Sequence, residues 1–269
     1  MNNQNREAQN NKLNGILIIL ITFILLFVEY YCFVFEVLLK SITPTNFYFI
    51  LVFLVIFHLL ILFLLLAFFS TMCINPGGIP QNWEYPNEGQ RKRYCLICKV
   101  FKPERSHHCS VCKICILNMD HHCPWVNNCI GFYNRKYFIQ LLLFTSFLTI
   151  FVDIIEFYFE YNNVLIKRRA IKVSFCFVII CYILNFIVSI IITKNLIYNI
   201  KLILINSTTT ESIDTWFKSI YEKYNLTRLE NWEQVFGKNE FFWFFPTPIQ
   251  KGRPDGDGLT WRTNEKKQN

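Results

Sequence analysis

Histidine is nearly absent from this chain, with five in 269 residues, and charge is sparse, at 17%. A soluble domain is usually roughly 45–50% apolar, whereas 53% of this chain is hydrophobic, 28 residues of it Phe. The sparse charge and the apolar excess together exclude an ordinary soluble domain. No short apolar run with a small-residue cleavage site precedes the first hydrophobic block. The polar start "MNNQNREAQNNK" therefore excludes a cleavable leader of the usual pattern and leaves the first block as the expected targeting signal. No internal repeat is evident. Polar residues inside the hydrophobic blocks are few and no paired broken helices occur, which argues against a transporter.

The hydrophobic residues fall in four blocks, 13–35, 47–69, 137–159 and 173–193. Each approaches or exceeds the ~20 residues a helix needs to cross a bilayer. The expected fold is an α-helical polytopic membrane protein. A polar N-terminus (1–12) precedes four transmembrane helices. A loop (70–136) separates the second and third and contains a small cysteine-rich domain (94–138). A tail (194–250) and a disordered end (251–269) follow the fourth. The loop carries nine Lys or Arg, so the positive-inside rule puts it, the N-terminus and the tail on the cytoplasmic side. Reduced thiols suit that side. The four basic residues of "NNVLIKRRAIK" (162–172) run against this orientation. On the cytoplasmic reading, the sequons at Asn206 and Asn225 stay unglycosylated. Cys32, Cys73, Cys176 and Cys181, in or near the spans, read as small packing residues.

Glu29 and Asp153 sit at matching depths in the first and third spans and read as an interfacial rim with aromatic neighbours. His58, mid-span in the second, needs one hydrogen bond from a neighbouring helix. In the tail, Ile213, Trp216, Phe217, Ile220, Tyr221 and Tyr224 follow helical spacing and predict an amphipathic helix. "FFWFFP" (241–246) is a dense aromatic patch.

The scarce histidines are crowded: four of five lie between residues 107 and 122, among seven of the eleven cysteines. Cys95-x2-Cys98 and Cys109-x2-Cys112 are knuckles with tetrahedral zinc spacing. The loop is poor in Leu, Ile and Val, so an apolar core cannot fold it and metal must contribute. Eleven ligand-type side chains are present: Cys95, Cys98, His107, His108, Cys109, Cys112, Cys115, His121, His122, Cys123 and Cys129. Two four-ligand sites leave three spare, and spacing alone does not say which. Adjacent residues such as His122 and Cys123 point apart and seldom serve one metal. A spare Cys beside a spare His is a nucleophile with its base, and an aspartate can orient that imidazole. "DHHC" supplies Asp120, His121 and Cys123 for these roles.

The run "CLICKVFKPERSHHCSVCKICILNMDHHCPWVNNCIGFYNRKYF" (95–138) resembles, without a gap, the cysteine-rich domain of the DHHC protein S-acyltransferases, or palmitoyltransferases. "TTTE" (208–211) and "NWEQVFG" (231–237) resemble the family's two tail motifs. One departure is Asn75-Pro76-Gly77, where the family has Asp-Pro-Gly; Asn starts a turn as Asp does, but a charge is lost. The resemblance implies two interleaved structural zinc sites: Cys95, Cys98, His108 and Cys115, and Cys109, Cys112, His122 and Cys129. It implies Cys123 as nucleophile, His121 as general base and Asp120 as its orienter, with His107 at the surface. The implied co-substrate is a long-chain acyl-CoA, whose phosphates Arg135, Lys136 or the Arg91–Arg93 cluster would meet. Trp125 would pack at the membrane interface. The implied partners are membrane lipids and cysteine-containing substrate proteins, in an endomembrane such as the Golgi, the ER or the plasma membrane; no accessory subunit is specified. A zinc module for nucleic acid is remote between two membrane spans. A catalytically silent scaffold needs neither a spare thiol nor its base.

Overall fold

The computed structural model describes residues 3–85, 92–161, 173–213, 222–246 and 254–264. Among the described residues, four helices are long and apolar enough to cross a membrane. Helix α1 (Asn3–Tyr31) runs on through a π-helical turn (Cys32–Leu38) and a 3-10 turn (Leu39–Ser41). It is followed by α2 (Phe47–Cys73), α3 (Arg135–Tyr161) and α4 (Val173–Leu204). The membrane-competent parts are Leu13–Ser41, Phe47–Cys73, Arg135–Phe159 and Cys176–Leu204. They contain the four expected blocks almost entirely and mostly extend them. α4 runs past Lys194 and Lys201 because no breaker intervenes before Asn206, whose φ is +50°. The basic stretch 167–172, Arg91 and residues 214–221 of the expected amphipathic helix lie outside the described residues.

The contacts divide the chain into two compact units: Leu20–Leu65 with Leu141–Ile197, and Met1–Ile19 with Leu66–Gln140 and Tyr198–Asn269. In the first unit, several polar side chains of the membrane helices find partners. His58 Nδ1 donates to the Leu54 carbonyl (2.6 Å), so Nε2 accepts from the Tyr30 hydroxyl (3.1 Å). Asn185 bridges the Asp153 carboxylate (2.8 Å) and the Thr149 carbonyl (3.0 Å). Asp153 and Glu156 are buried, at 9% and 0% exposure. Asp153, expected with Glu29 to form an interfacial rim, is turned inward instead, because a carboxyl facing lipid costs more than one facing helix partners.

The second unit holds the cysteine-rich domain, built as three antiparallel hairpins. β1 (Arg93–Cys95) pairs with β2 (Val100–Lys102), β3 (His107–Cys109) with β4 (Ile114–Ile116), and β5 (His121–Cys123) with β6 (Asn128–Ile130). Every strand begins fourteen residues after its counterpart in the preceding hairpin. The tips repeat as well: Lys99, Lys113 and Asn127 all take positive φ, at 55°, 60° and 47°. The chain therefore does contain an internal repeat, contrary to the sequence reading. It escapes notice because hairpin one carries Arg93, Tyr94 and Phe101 where the second has His107, His108 and Cys115.

The domain is seated on the end of α2. Gly77 N–H donates to the Asn75 side chain (2.9 Å), so Asn makes the turn that Asp makes in the family. Gly77 C=O then accepts from Leu117 N (2.8 Å), and Pro76 C=O from Tyr133 N (3.2 Å). Gly131 fills the seam: a Cβ there would lie 2.5 Å from Ile116 Cγ2 and 2.7 Å from the Pro76 carbonyl oxygen. Gly131→Ala is expected to cost about 1–3 kcal/mol by overpacking, read as a lower thermal midpoint of the purified protein in detergent.

In the tail, α5 (Thr209–Ile213) and α6 (Arg228–Phe236) follow α4. Thr227 and Glu230 form a capping box on α6. Asn231, 1% exposed, donates to the Leu204 carbonyl (2.9 Å) and so ties the tail to the end of α4. Trp243 C=O accepts from Gln140 on α3 (2.8 Å), while Phe241 and Phe244 of the aromatic patch stay exposed. The end expected to be disordered is ordered over 254–264. The Asp257 side chain caps the N–H groups of Leu259 and Thr260 (2.8 and 2.9 Å), and Asn264 N donates to the Lys223 carbonyl (2.7 Å). A carboxylate turn and one aromatic anchor, Trp261, replace the hydrophobic periodicity that the sequence reading looked for.

Candidate active site and metal centres

A strand sends alternate side chains to opposite faces. In β5 this separates three neighbouring reactive groups. His122 faces one side, where its cross-strand partner is Cys129. His121 and Cys123 face the other.

The repeat sorts the ligands. The knuckle of hairpin one, Cys95 and Cys98, meets the cross-strand pair His108 and Cys115 of hairpin two. The knuckle of hairpin two, Cys109 and Cys112, meets the cross-strand pair His122 and Cys129 of hairpin three. The knuckle positions of hairpin three hold Cys123 and Val126, and no fourth hairpin follows among the described residues. Cys123 thus occupies a ligand position without a metal site to complete, and the spare thiol is a consequence of the architecture.

Both clusters fit a tetrahedral ion. Zn–S of about 2.3 Å and Zn–N of about 2.0–2.1 Å place S and N ligands about 3.6 Å apart. His108 Nδ1 lies 3.7, 3.2 and 3.9 Å from the sulfurs of Cys95, Cys98 and Cys115. His122 Nδ1 lies 3.9, 3.5 and 3.6 Å from those of Cys109, Cys112 and Cys129. The knuckle amides of Cys98 and Cys112 donate to the sulfurs of Cys95 and Cys109 (3.4 and 3.3 Å). All eleven cysteines are free thiols, so disulfides do not hold the domain. Two Cys/His metal-binding sites are present.

Just before β5, Asp120 is 1% exposed, and His121 Nδ1 donates to its Oδ2 (2.7 Å). Nε2 is then left free of Asp120, and Cys123, two residues on along the same face of β5, acts on the ring electrostatically. Burial acts to lower the His121 pKa, but Asp120 and Cys123 outweigh it and raise it to about 9. Burial acts to raise the Asp120 pKa, but the Arg135 charge, His121 and Thr209 hold it well below the usual carboxylate range. Thr209 donates twice to the carboxylate, from its N–H to Oδ1 (2.9 Å) and from its hydroxyl to Oδ2 (2.6 Å). Asp120 is fixed as an anion, and the imidazole is fixed by it. Asp120→Asn is expected to slow alkylation of Cys123 by iodoacetamide about 100-fold with two metals per chain retained, as read by alkylation rate and metal analysis.

Arg135 and Lys136 are not where the CoA expectation put them. They are buried to 2% and 1% exposure. The Arg135 guanidinium donates to the Ser207 carbonyl (2.6 Å) and faces Asp120 at 3.5 Å. It is spent on the acid rather than held out for a phosphate, because an anion buried at Asp120 needs a buried cation. His107 is half-buried on β3 and Trp125 is exposed.

The hairpin is braced from behind. Asn128, the cross-strand partner of Cys123, lies with its side-chain amide within 3.2 Å of three carbonyls at the end of α2, those of Thr71, Met72 and Ile74. Asn134 donates to Thr71 C=O (3.2 Å) and Cys129 C=O (2.8 Å).

A model of the DHHC palmitoyltransferase family matches residues 88–215. Probable protein S-acyltransferase 13 of Arabidopsis thaliana is 31% identical over 217 residues, covering 71% of this chain and 70% of that protein. The chain belongs to the DHHC palmitoyltransferase family. Palmitoyltransferase ZDHHC15 of Rattus norvegicus is 31% identical over 184 residues (66% of this chain, 52% of that protein). Palmitoyltransferase ZDHHC20 of Bos taurus is 36% identical over 178 residues (64% and 46%).

In this DHHC palmitoyltransferase, sequence reasoning found the tail motif "TTTE" but not its task. Thr209 and Thr210 hold Asp120, and Glu211 takes the Arg105 guanidinium in a bidentate pair (2.7 and 2.8 Å). Arg105 donates further to Asn206, through the Oδ1 and C=O atoms (both 2.8 Å). Asn206 is thereby buried, at 5% exposure. A buried Arg–Glu pair about a hundred residues apart leaves no local signal in a single sequence.

Proposed function

We propose that this protein S-acyltransferase moves a long-chain acyl group from acyl-CoA to cysteine thiols of substrate proteins through a thioester on Cys123. The observation that carries the reading is the hydrogen bond of Asp120, the residue before β5, to His121, which shares a face of β5 with Cys123, none of the three being among the metal-binding clusters. His121, with its pKa raised to about 9, holds the proton that Cys123 gives up, and this imidazolium is held at Nδ1 by Asp120. The thiolate attacks the acyl-CoA carbonyl, the acyl–S bond forms, and CoA leaves as a thiol with the proton from His121. An acceptor cysteine, deprotonated by the same imidazole, then takes the acyl group, and the proton returns to Cys123. Each step exchanges thioester for thioester, so no energy source is required. Two zinc ions, on Cys95, Cys98, His108 and Cys115 and on Cys109, Cys112, His122 and Cys129, would supply folding free energy. The basic loop faces the cytoplasm in this reading, on an endomembrane whose lipids surround the spans and bring membrane-bound substrates into reach.

The test is a discharge experiment. Purified protein in detergent is incubated with a clickable palmitoyl-CoA, and the label is mapped by peptide mass spectrometry. Hydroxylamine-sensitive label on the Cys123 peptide, lost when a cysteine-containing acceptor peptide is added, is expected. Label that maps elsewhere, or never leaves the enzyme, sinks the assignment.

A further inference from the structure

The segment 254–264 has no part in the acyl-transfer scheme, yet it is packed onto the residue that organises the tail. Trp261 lies with its ring 4.4 Å from the Arg105 guanidinium carbon, and Tyr224 covers the same cation at 5.0 Å. Arg105 and Glu211 are sealed: their side chains are 0% and 2% exposed. Trp261 also meets Phe132 edge-on at 5.8 Å, one residue after Gly131 in the domain seam. The segment is shaped to make this contact. At Gly258, φ is +73° and a Cβ would lie 2.8 Å from the Phe132 ring, so only glycine lets the backbone come this close.

From Arg105 the contacts lead in one direction. Its bidentate partner Glu211 accepts from Thr208 N (2.9 Å) and so fixes the first turn of α5. That turn presents Thr209, whose N–H and hydroxyl both reach the Asp120 carboxylate. Asp120 holds His121, and His121 meets Cys123. We propose that Trp261 is a positioning residue for acyl transfer: by closing the Arg105–Glu211 pair against water, it keeps Thr209 on Asp120 and the imidazole aimed at Cys123. This rests on the Cys123 reading above. The physical ground is that a desolvated cation–π contact and a charge-assisted bidentate pair both weaken when water enters. Its ring contacts among the described residues are with Phe132, Tyr224 and Arg105, none of them a metal ligand, so its effect is separable from folding of the cysteine-rich domain.

The test uses the full-length protein in detergent with two readouts. One is the rate of Cys123 labelling by clickable palmitoyl-CoA. The other is the rate of Cys123 alkylation by iodoacetamide, followed on its peptide, which does not depend on acyl transfer. Trp261→Ala is expected to slow both by about 3- to 30-fold, the span of a desolvated cation–π contact, with two zinc ions per chain kept. Trp261→Phe keeps a ring over Arg105 and is expected to stay within about threefold of wild type. On a Thr209→Val background, which already lacks the hydroxyl to Asp120, Trp261→Ala should add less than about twofold. Wild-type rates in Trp261→Ala, a full multiplied loss on the Thr209→Val background, or loss of zinc would each overturn the positioning role. If the wild-type protein alkylates at Cys123 but never acylates there, the acyl-carrier reading fails while the alkylation comparison still decides the role of Trp261.

Discussion

Cys123→Ser is expected to leave two zinc ions per chain and a wild-type elution profile, and to carry no hydroxylamine-sensitive acyl group. The two halves of that outcome come from the two faces of β5. The metal face depends on His122 and its cross-strand partner Cys129, which serine at 123 does not touch. The other face loses its only thiol. A serine hydroxyl in its place is isosteric but far less acidic than a thiol, whose ordinary pKa of about 8.5 already lies within reach of an imidazole. The His121–Asp120 pair remains, and it can still accept a proton, but there is no thiolate to attack the thioester. Cys123→Ala makes the same prediction by removing the donor altogether. The measurement is parallel: metal content by mass spectrometry, monodispersity by gel filtration, and in-gel click fluorescence before and after hydroxylamine. Equal label in wild type and Cys123→Ser, with zinc intact, would move the acyl carrier to another residue. The four cysteines in or near the spans, of which Cys73 and Cys176 are exposed, would be the first to examine.

Those faces were only partly visible in the sequence. Knuckle spacing identified Cys95, Cys98, Cys109 and Cys112 as metal ligands, and the total of eleven ligand-type residues required three to be spare. Spacing could not say which three, because the choice depends on strand alternation and on the pairing of His108 with Cys115 and of His122 with Cys129. The resemblance to the family supplied the choice, and the fourteen-residue hairpin period explains it. The spans were legible because lipid-facing helices are apolar all round. The inward turn of Asp153 and Glu156 was not, since depth along a span says nothing of rotation about its axis. Arg135 and Lys136 were expected to meet the CoA phosphates. The burial of Arg135 follows from Asp120, a carboxylate that needs a counter-charge in the interior. The ordered end escaped because "PDGDGLTW" has the composition of a linker. Its order comes from one aspartate turn and one indole laid on a guanidinium a hundred and fifty residues upstream.

The second large effect concerns the metals, and it should be unequal between the sites. Cys112→Ser removes a ligand from the site that His122 and Cys129 complete, so it releases β5 and β6 directly. The small core of the domain is built around the same site: Cys109, Ile116 and Cys129, with Val111, Cys112 and Met119 packed against them. Structural zinc contributes on the order of 10–16 kcal/mol of apparent binding free energy in small fingers, comparable to the whole stability of an ordinary domain at about 5–15 kcal/mol. Cys112→Ser is therefore expected to lower zinc to at most one ion per chain, to open the 120–130 segment to protease, and to abolish Cys123 labelling. Cys98→Ser acts on the other site, where hairpin one is clasped to His108 and Cys115. It loosens residues 93–102 first, while β5 keeps its own metal and its seat on Asn128 and the end of α2. One zinc ion per chain and a partial, roughly tenfold loss of labelling are expected. Limited proteolysis with peptide mapping separates the two variants by which segment is cut. If Cys98→Ser abolished labelling as fully as Cys112→Ser while retaining one zinc ion, the hairpins would have to fold as a single cooperative unit, and the catalytic strand would owe its geometry to both sites equally.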